Sequence, residues 1–232
     1  MDYKLTKKPK ECTIIQGFPS IGLVSTIATK FLIEHLTVEK IGSIHSNKIL
    51  PIAAIHKGEI IEPISIYYNK KYNLIIIQAL AEVTGFEWEM AETILKMAKE
   101  LKAVEIITLE GTGTQQKKMN TFYYSNIPKR KIDPLERINE GAIMGVTAAI
   151  FLKADKFPIT CLFVETNSGL PDSEAAAKIV KALDIYKNMK VNFKPLLETA
   201  KVFESNLRTH MEKSKEIMMQ QRSRNTETNY IG

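Results

Sequence analysis

Cysteine is nearly missing from this chain: Cys12 and Cys161 are the only two in 232 residues, each inside an apolar, strand-like run. That excludes a disulfide framework and leaves no Cys spacing for a zinc site. Both read as small core residues of a cytoplasmic protein. Arginine is scarce too. Of the 32 basic residues 27 are Lys, and no Arg precedes Arg130. The bidentate fork that clamps phosphate or carboxylate is therefore missing from the first half, which weakens the case for a phosphate-ester substrate. The longest apolar run, residues 141–152, is too short to cross a bilayer, so no membrane partner is expected. Met1-Asp2-Tyr3-Lys4 has no apolar core behind it, so no secretory leader is expected. His35, His45, His56 and His210 are scattered, none at helical spacing from another ligand type; no metal and no cofactor are expected. There is no G-x-S-x-G nucleophile elbow and no internal repeat.

What is present is an ordinary globular composition, 44% hydrophobic and 25% charged, with a mild net charge of +6. The length suits one sizeable core. Apolar strand-like runs alternate with amphipathic stretches. Residues 13–17, 38–46, 73–78, 104–109 and 159–165 read as strands, and 50–55 and 59–67 as a strand pair about the turn His56-Lys57-Gly58. A helix follows the first strand, with Leu23, Ile27, Phe31 and Leu36 toward one face. Thr84-x-x-Glu87 has the form of a capping box, opening a helix with Phe86, Met90, Ile94, Met97 and Leu101 on one face. Residues 117–132 read as a hairpin or ordered loop. Asp133-Pro134-Leu135-Glu136 reads as a helix start, and residues 141–152 as an apolar helix. The loop 166–172 caps a helix from Ser173 to about Asn188. The pattern indicates a single α/β domain over residues 1–193, with a mixed, mostly parallel sheet flanked by helices. Residues 194–219 carry a fading stripe that includes Phe203, Leu207 and Ile217, a C-terminal helical arm suited to an oligomer contact. Residues 220–232 read as a flexible polar tail.

The stretch most suggestive of chemistry is Thr13-Ile14-Ile15-Gln16-Gly17-Phe18-Pro19-Ser20-Ile21-Gly22-Leu23-Val24-Ser25. An apolar strand enters a Gly-Pro turn and then a helix, the junction where open α/β proteins hold ligands. The spacing of Gly17 and Gly22 fits a P-loop, but Leu23 and Val24 stand where Lys and Ser or Thr would be. Pro19 stands where a dinucleotide fingerprint needs glycine. Two readings remain: an anion-binding loop using Gly17, Phe18, Ser20 and Gly22, or a tight strand-to-helix turn. Glu110-Gly111-Thr112-Gly113-Thr114 could cradle an anion, but Gln116 replaces a third glycine. Asn167 and Ser168, beside Gly169, occupy a second strand-to-helix loop. Glu82, Glu110 and Glu165 all lie at or just beyond strand ends, where they could line a crevice and share acid–base work, or cap helices and meet solvent. Lys117-Lys118, Phe122-Tyr123-Tyr124 and Lys129-Arg130-Lys131 are basic and aromatic but match no RNA-binding signature, so nucleic acid is not the expected partner.

Four stretches together resemble one family. They are residues 17–24; Ala81-Glu82-Val83-Thr84-Gly85; Glu140-Gly141-Ala142-Ile143-Met144-Gly145; and the segment 165–176, which contains Leu170-Pro171-Asp172. Across residues 10–190 the chain resembles the proteasome assembly chaperone family in its archaeal single-chain form. The resemblance implies a nucleoside-phosphorylase-like α/β core, homo-oligomers, no established catalysis, and proteasome α-subunits or the core particle as partner. It also implies a C-terminal tail reading hydrophobic–Tyr–any that inserts between α-subunits, its terminal carboxylate paired to a lysine. Here the chain ends Asn229-Tyr230-Ile231-Gly232, with Tyr230 third from the end and a polar residue before it. Two functions follow. One is a non-enzymatic scaffold that binds proteasome subunits as assembly chaperone or adaptor. The alternative is a nucleoside-phosphorylase-like small-molecule binder or enzyme using the opening loop, Glu82, Gly111, Gly113, Asn167 and Ser168.

Overall fold

The structure is a computed structural model, and it describes residues 1–49, 51–56, 58–114, 120–166 and 171–191. The helical arm, the polar tail, Asn167 and Ser168 lie outside the described residues. In chain order the elements are β1 (Asp2–Leu5), β2 (Thr13–Gly17), a 3-10 turn (Ile21–Leu23), α1 (Val24–His35) and β3 (Glu39–His45). They continue with β4 (Ala54–His56), β5 (Glu59–Ile61), β6 (Ile64–Asn69), β7 (Leu74–Ala79), α2 (Glu87–Glu100) and β8 (Glu105–Gly113). The last are β9 (Thr121–Ser125), β10 (Glu136–Arg137), α3 (Gly145–Lys153), β11 (Ile159–Thr166) and α4 (Ser173–Lys187).

Nine strands form one sheet in the order β1-β3-β6-β7-β2-β8-β11-β9-β10. Its centre, β7-β2-β8-β11, is parallel throughout. The strands beyond it, β6, β3 and β1 on one side and β9 on the other, join antiparallel to their inner neighbours. The parallel centre is the part whose strands read as unbroken apolar runs, as strands covered on both faces must. Alternation then sorts the side chains. Ile14, Ile75, Ile77 and Ile106 point to the face covered by Met90, Ile94 and Met97 of α2 and Ile150 of α3. Ile15, Leu74, Ile76 and Ile107 point to the face covered by Ile27 and Phe31 of α1 and Ile179 and Leu183 of α4. The result is a three-layer α/β/α domain, as expected.

Several local expectations are corrected. Thr84 and Glu87 do not make a capping box: the N-cap of α2 is Phe86, with no side-chain cap. Phe86 N–H closes a turn onto Val83 O (2.9 Å), which delays the helix and makes Glu87 its first residue. Residues 133–136 do not start a helix. Leu135 N–H turns back to Ile132 O (2.7 Å), and Glu136 and Arg137 pair in parallel with Phe122 and Tyr123. The strand pair about residues 56–58 exists but is short, and β6 forms separately in the large sheet. Within 117–132, residues 121–125 are a strand of that sheet. Its aromatics are packed, with Tyr123 buried and Tyr124 edge-on to Phe151. The apolar helix begins four residues late, at Gly145, whose φ of +67° turns the chain out of the extended segment before it. By contrast α4 starts as expected: the Asp172 carboxylate accepts from Ala175 N–H (2.9 Å).

Candidate functional site

The opening loop spends its polar groups on the fold. Ser20 and Ser25 hydroxyls lie 2.8 Å apart, and Ser25 donates to Leu109 O in the middle of β8. Gly111 N–H donates to Ser20 Oγ (3.4 Å), and Leu23 N–H to Ser20 O (2.9 Å). Asp172 N–H donates to Gly22 O (2.8 Å), and the Asp172 carboxylate takes the Thr166 hydroxyl (2.6 Å). The loop is thereby tied to β8, β11 and α4. Backbone also passes so close that a Cβ on Gly111 would stand 2.2 Å from Ile21 O. This is the tight-turn reading of Gly17, Ser20 and Gly22.

Beside that turn, at the C-terminal ends of the central strands, is a cavity of about 350 Å³. Adjacent strands β2 and β7 send their following helices to opposite faces, and such a switch point leaves a crevice. Among the described residues its wall contains Phe18, Ile21, Val83, Met144 and Phe163, with three carboxylates, Glu82, Glu87 and Glu110, and no Lys, Arg or His. Glu82 is exposed, while Glu87 and Glu110 are half-buried. Among the described residues, no three His, Cys, Asp or Glu side chains could hold a metal ion.

Glu110 lies beyond the last pairing of β8 with β2, Gln16 with Thr108, where α3 comes down on the sheet. A short relay reaches it. Gln16 Nε2 donates to Thr147 Oγ1 (2.8 Å), and Thr147 donates to Glu110 Oε1 (2.6 Å). Desolvation raises the Glu110 carboxyl from 4.5 to about 7, and the Thr147 hydrogen bond offsets part of that rise. Burial also holds the Cys161 thiol well above its ordinary value, with a contribution from the Glu110 charge.

The structure brings together Phe18, Ser20, Glu82, Glu110 and Gly111 in the cavity wall. Gly17 ends β2 behind it, Gly22 belongs to the turn, and Gly113 is exposed at the end of β8. Glu165 is not in the cavity wall. Its carboxylate takes both the backbone and the side-chain N–H of Asn120 (2.9 Å each). Three residues of the site escaped the sequence reading: Gln16, Thr147 and Glu87. The first two are polar interruptions of apolar runs, and that was the available signal. Glu87 was hidden by its apparent capping role.

The family model described as "PAC2 family" matches residues 14–211. A protein of Methanocaldococcus jannaschii described as uncharacterised is 25% identical over 216 residues, covering 90% of this chain and 89% of its own. The crystal structure of Pyrococcus furiosus PbaA, "an archaeal homolog of proteasome-assembly chaperone", superposes with a TM-score of 0.83. It is 26% identical and covers 94% of this chain and 99% of its own. Pyrococcus furiosus PbaB, "an archaeal proteasome activator", gives a TM-score of 0.73 at 22% identity, covering 90% of this chain and 98% of its own, a likeness of fold. With the mixed sheet, the bound-up opening loop and a family match that spans most of the chain, the protein belongs to the PAC2 family.

Proposed function

We propose that this protein is a non-enzymatic, homo-oligomeric scaffold that binds proteasome α-subunits as an assembly chaperone or adaptor. The observation that carries this reading is the full-length likeness, in sequence and fold, to PbaA, an archaeal homologue of proteasome-assembly chaperone. The loop geometry supports it. Ser20 and Ser25, hydroxyls of the opening loop and helix, are bonded to each other, and Ser25 to the sheet. The tail Asn229-Tyr230-Ile231-Gly232 is proposed as a docking peptide in the hydrophobic–Tyr–any manner. Phe203, Leu207 and Ile217 are proposed as contacts between copies.

The test is co-elution of the purified full-length chain with archaeal proteasome α-subunits in size-exclusion chromatography, with a variant lacking residues 229–232 alongside. The reading expects the intact chain to shift into the α-subunit fractions and the truncated chain to shift less. Retention of the intact chain at its own volume contradicts it. Unchanged co-elution of the truncated chain contradicts the docking role of the tail alone.

A second reading is favoured by one observation: the cavity holding Glu110 is of a size and lining that suit a small molecule.

A further inference from the structure

We infer that the cavity at the C-terminal ends of β2, β7 and β8 binds a small organic cation, an ammonium or guanidinium group on an apolar body, with Glu110 as its charge partner. The inference rests on the second reading above and names its ligand chemistry. A volume of about 350 Å³ admits a whole small molecule at the lower end of ordinary ligand pockets. Among the described residues the wall carries Glu82, Glu87 and Glu110 and no basic side chain, a balance that disfavours an anion there. Two nearby N–H groups that could have offset this, those of Leu23 and Gly111, are already given to Ser20. Beside the hydroxyl residues Ser20, Thr84 and Thr112 the wall is apolar, and it includes Phe18 and Phe163, aromatic rings of the kind that attract a cation.

The independent observation is the state of Glu110 itself. One carboxylate oxygen, Oε1, takes the Thr147 hydroxyl. Among the described residues no donor is placed on Oε2, on a half-buried side chain in the cavity wall. Thr147 in turn accepts from Gln16 Nε2. When ionised, Glu110 has further acceptor sites on Oε2 beyond the one hydrogen bond from Thr147. An N–H cation on Oε2 completes the set, and an apolar stem fills the space toward Met144 and Val83. The three carboxylates do not converge as metal ligands, so the occupant is an organic cation rather than a bare metal ion.

Binding should follow the charge of Glu110. The groups facing it are Thr147 of α3, Gln16 of β2 and Cys161 of β11, with Glu82 and Glu87 farther round the wall. Of these the Cys161 thiol is held neutral by its own burial.

The experiment uses the full-length protein and three probes of matched shape: n-hexylammonium, n-hexanol and hexanoate. Saturation-transfer NMR and calorimetric titration are run at about pH 8 and about pH 5.5. Saturable binding of hexylammonium is expected at the higher pH. It should be at least about tenfold tighter than hexanol, with a loss of about tenfold at the lower pH and a similar loss in Glu110→Gln. Hexanoate is expected not to bind. Should Glu110→Gln not fold, the unmodified protein still reports: titration at about pH 7 in buffers of different ionisation heat should show proton release as the cation binds. Binding of hexanol or hexanoate as tight as that of the cation overturns the inference and leaves the cavity a ligand site. Failure of all three probes to bind overturns the inference and the ligand-site reading together. Cation binding that ignores both pH and Glu110→Gln overturns the assignment of Glu110.

Discussion

Glu110 receives a single hydrogen bond inside the fold, and its carboxyl is raised from 4.5 to about 7 by desolvation. Unfolding returns the group to its ordinary value, so between those two values the folded state holds a proton that the unfolded state has lost. The stabilisation from keeping the carboxyl neutral is full below about pH 4.5. It declines as pH rises and is gone above about pH 7. At about 1.4 kcal/mol per unit, the swing is at most about 3 kcal/mol. Glu110→Gln keeps an acceptor for Thr147 and does not ionise. Urea midpoints from about pH 5 to about pH 8 should therefore fall more steeply for the unmodified protein than for the variant, and parallel profiles contradict this. The cysteines make a second residue-level prediction. Burial pushes the Cys12 thiol up to about 11 and Cys161 well above its usual value. Thiolate is the reactive form. A thiol reagent at neutral pH should titrate neither Cys in the native protein and both after denaturation. Fast native labelling of either would show that its burial is overstated. At this scale the sequence conveyed that Cys12 and Cys161 are core residues and that Glu110 stands at a strand end. It did not convey the Gln16–Thr147–Glu110 relay, which joins three segments far apart in the chain.

Two junctions hold the elements in register. At the top of the sheet, Asp172 caps α4, takes the Thr166 hydroxyl and donates its own N–H to Gly22 O. Asp172→Ala removes the cap, worth about 1 kcal/mol, and a charge-assisted bond worth about 1.5 kcal/mol or more. A loss of about 2–3 kcal/mol in chemical unfolding is expected, with Asp172→Asn recovering part of it. At the opposite end of the same face, the buried Glu105 carboxylate takes the hydroxyls of Thr160 and Tyr186 (2.6 Å each). Lys187 reaches Thr13 Oγ1 (3.0 Å), and burial lowers its affinity for a proton. Tyr186→Phe leaves Glu105 one donor short and should cost about 1–3 kcal/mol, read as a lowered urea midpoint with unchanged slope. The element boundaries that sequence conveyed are those with a local cause: the apolar runs of β2, β7, β8 and β11, and the Asp172 cap. Those it missed were decided by the fold. The turn of Phe86 onto Val83 delays α2. The segment before Gly145 is kept extended along the cavity wall. The pairing of residues 136–137 with β9 overrides a helix-start pattern at Asp133-Pro134.

At the scale of the whole molecule, the α/β/α layering and the family were legible because four short stretches occur in a fixed order around one sheet. Function was less so. The Gly17–Gly22 loop has the outline of a phosphate site, and hydrogen bonds of Ser20, Ser25 and Asp172 tie it to β8 and to the start of α4. Among the described residues, no helix is long and apolar enough to cross a membrane. The most direct measurement is reconstitution of the archaeal proteasome core particle from separately purified α- and β-subunits, with and without this protein, followed by native mass spectrometry. The account predicts intermediates that carry this chain together with α-subunits, and a higher or faster yield of assembled particle. Its absence from every α-containing species, with yield and rate unchanged, would contradict the account.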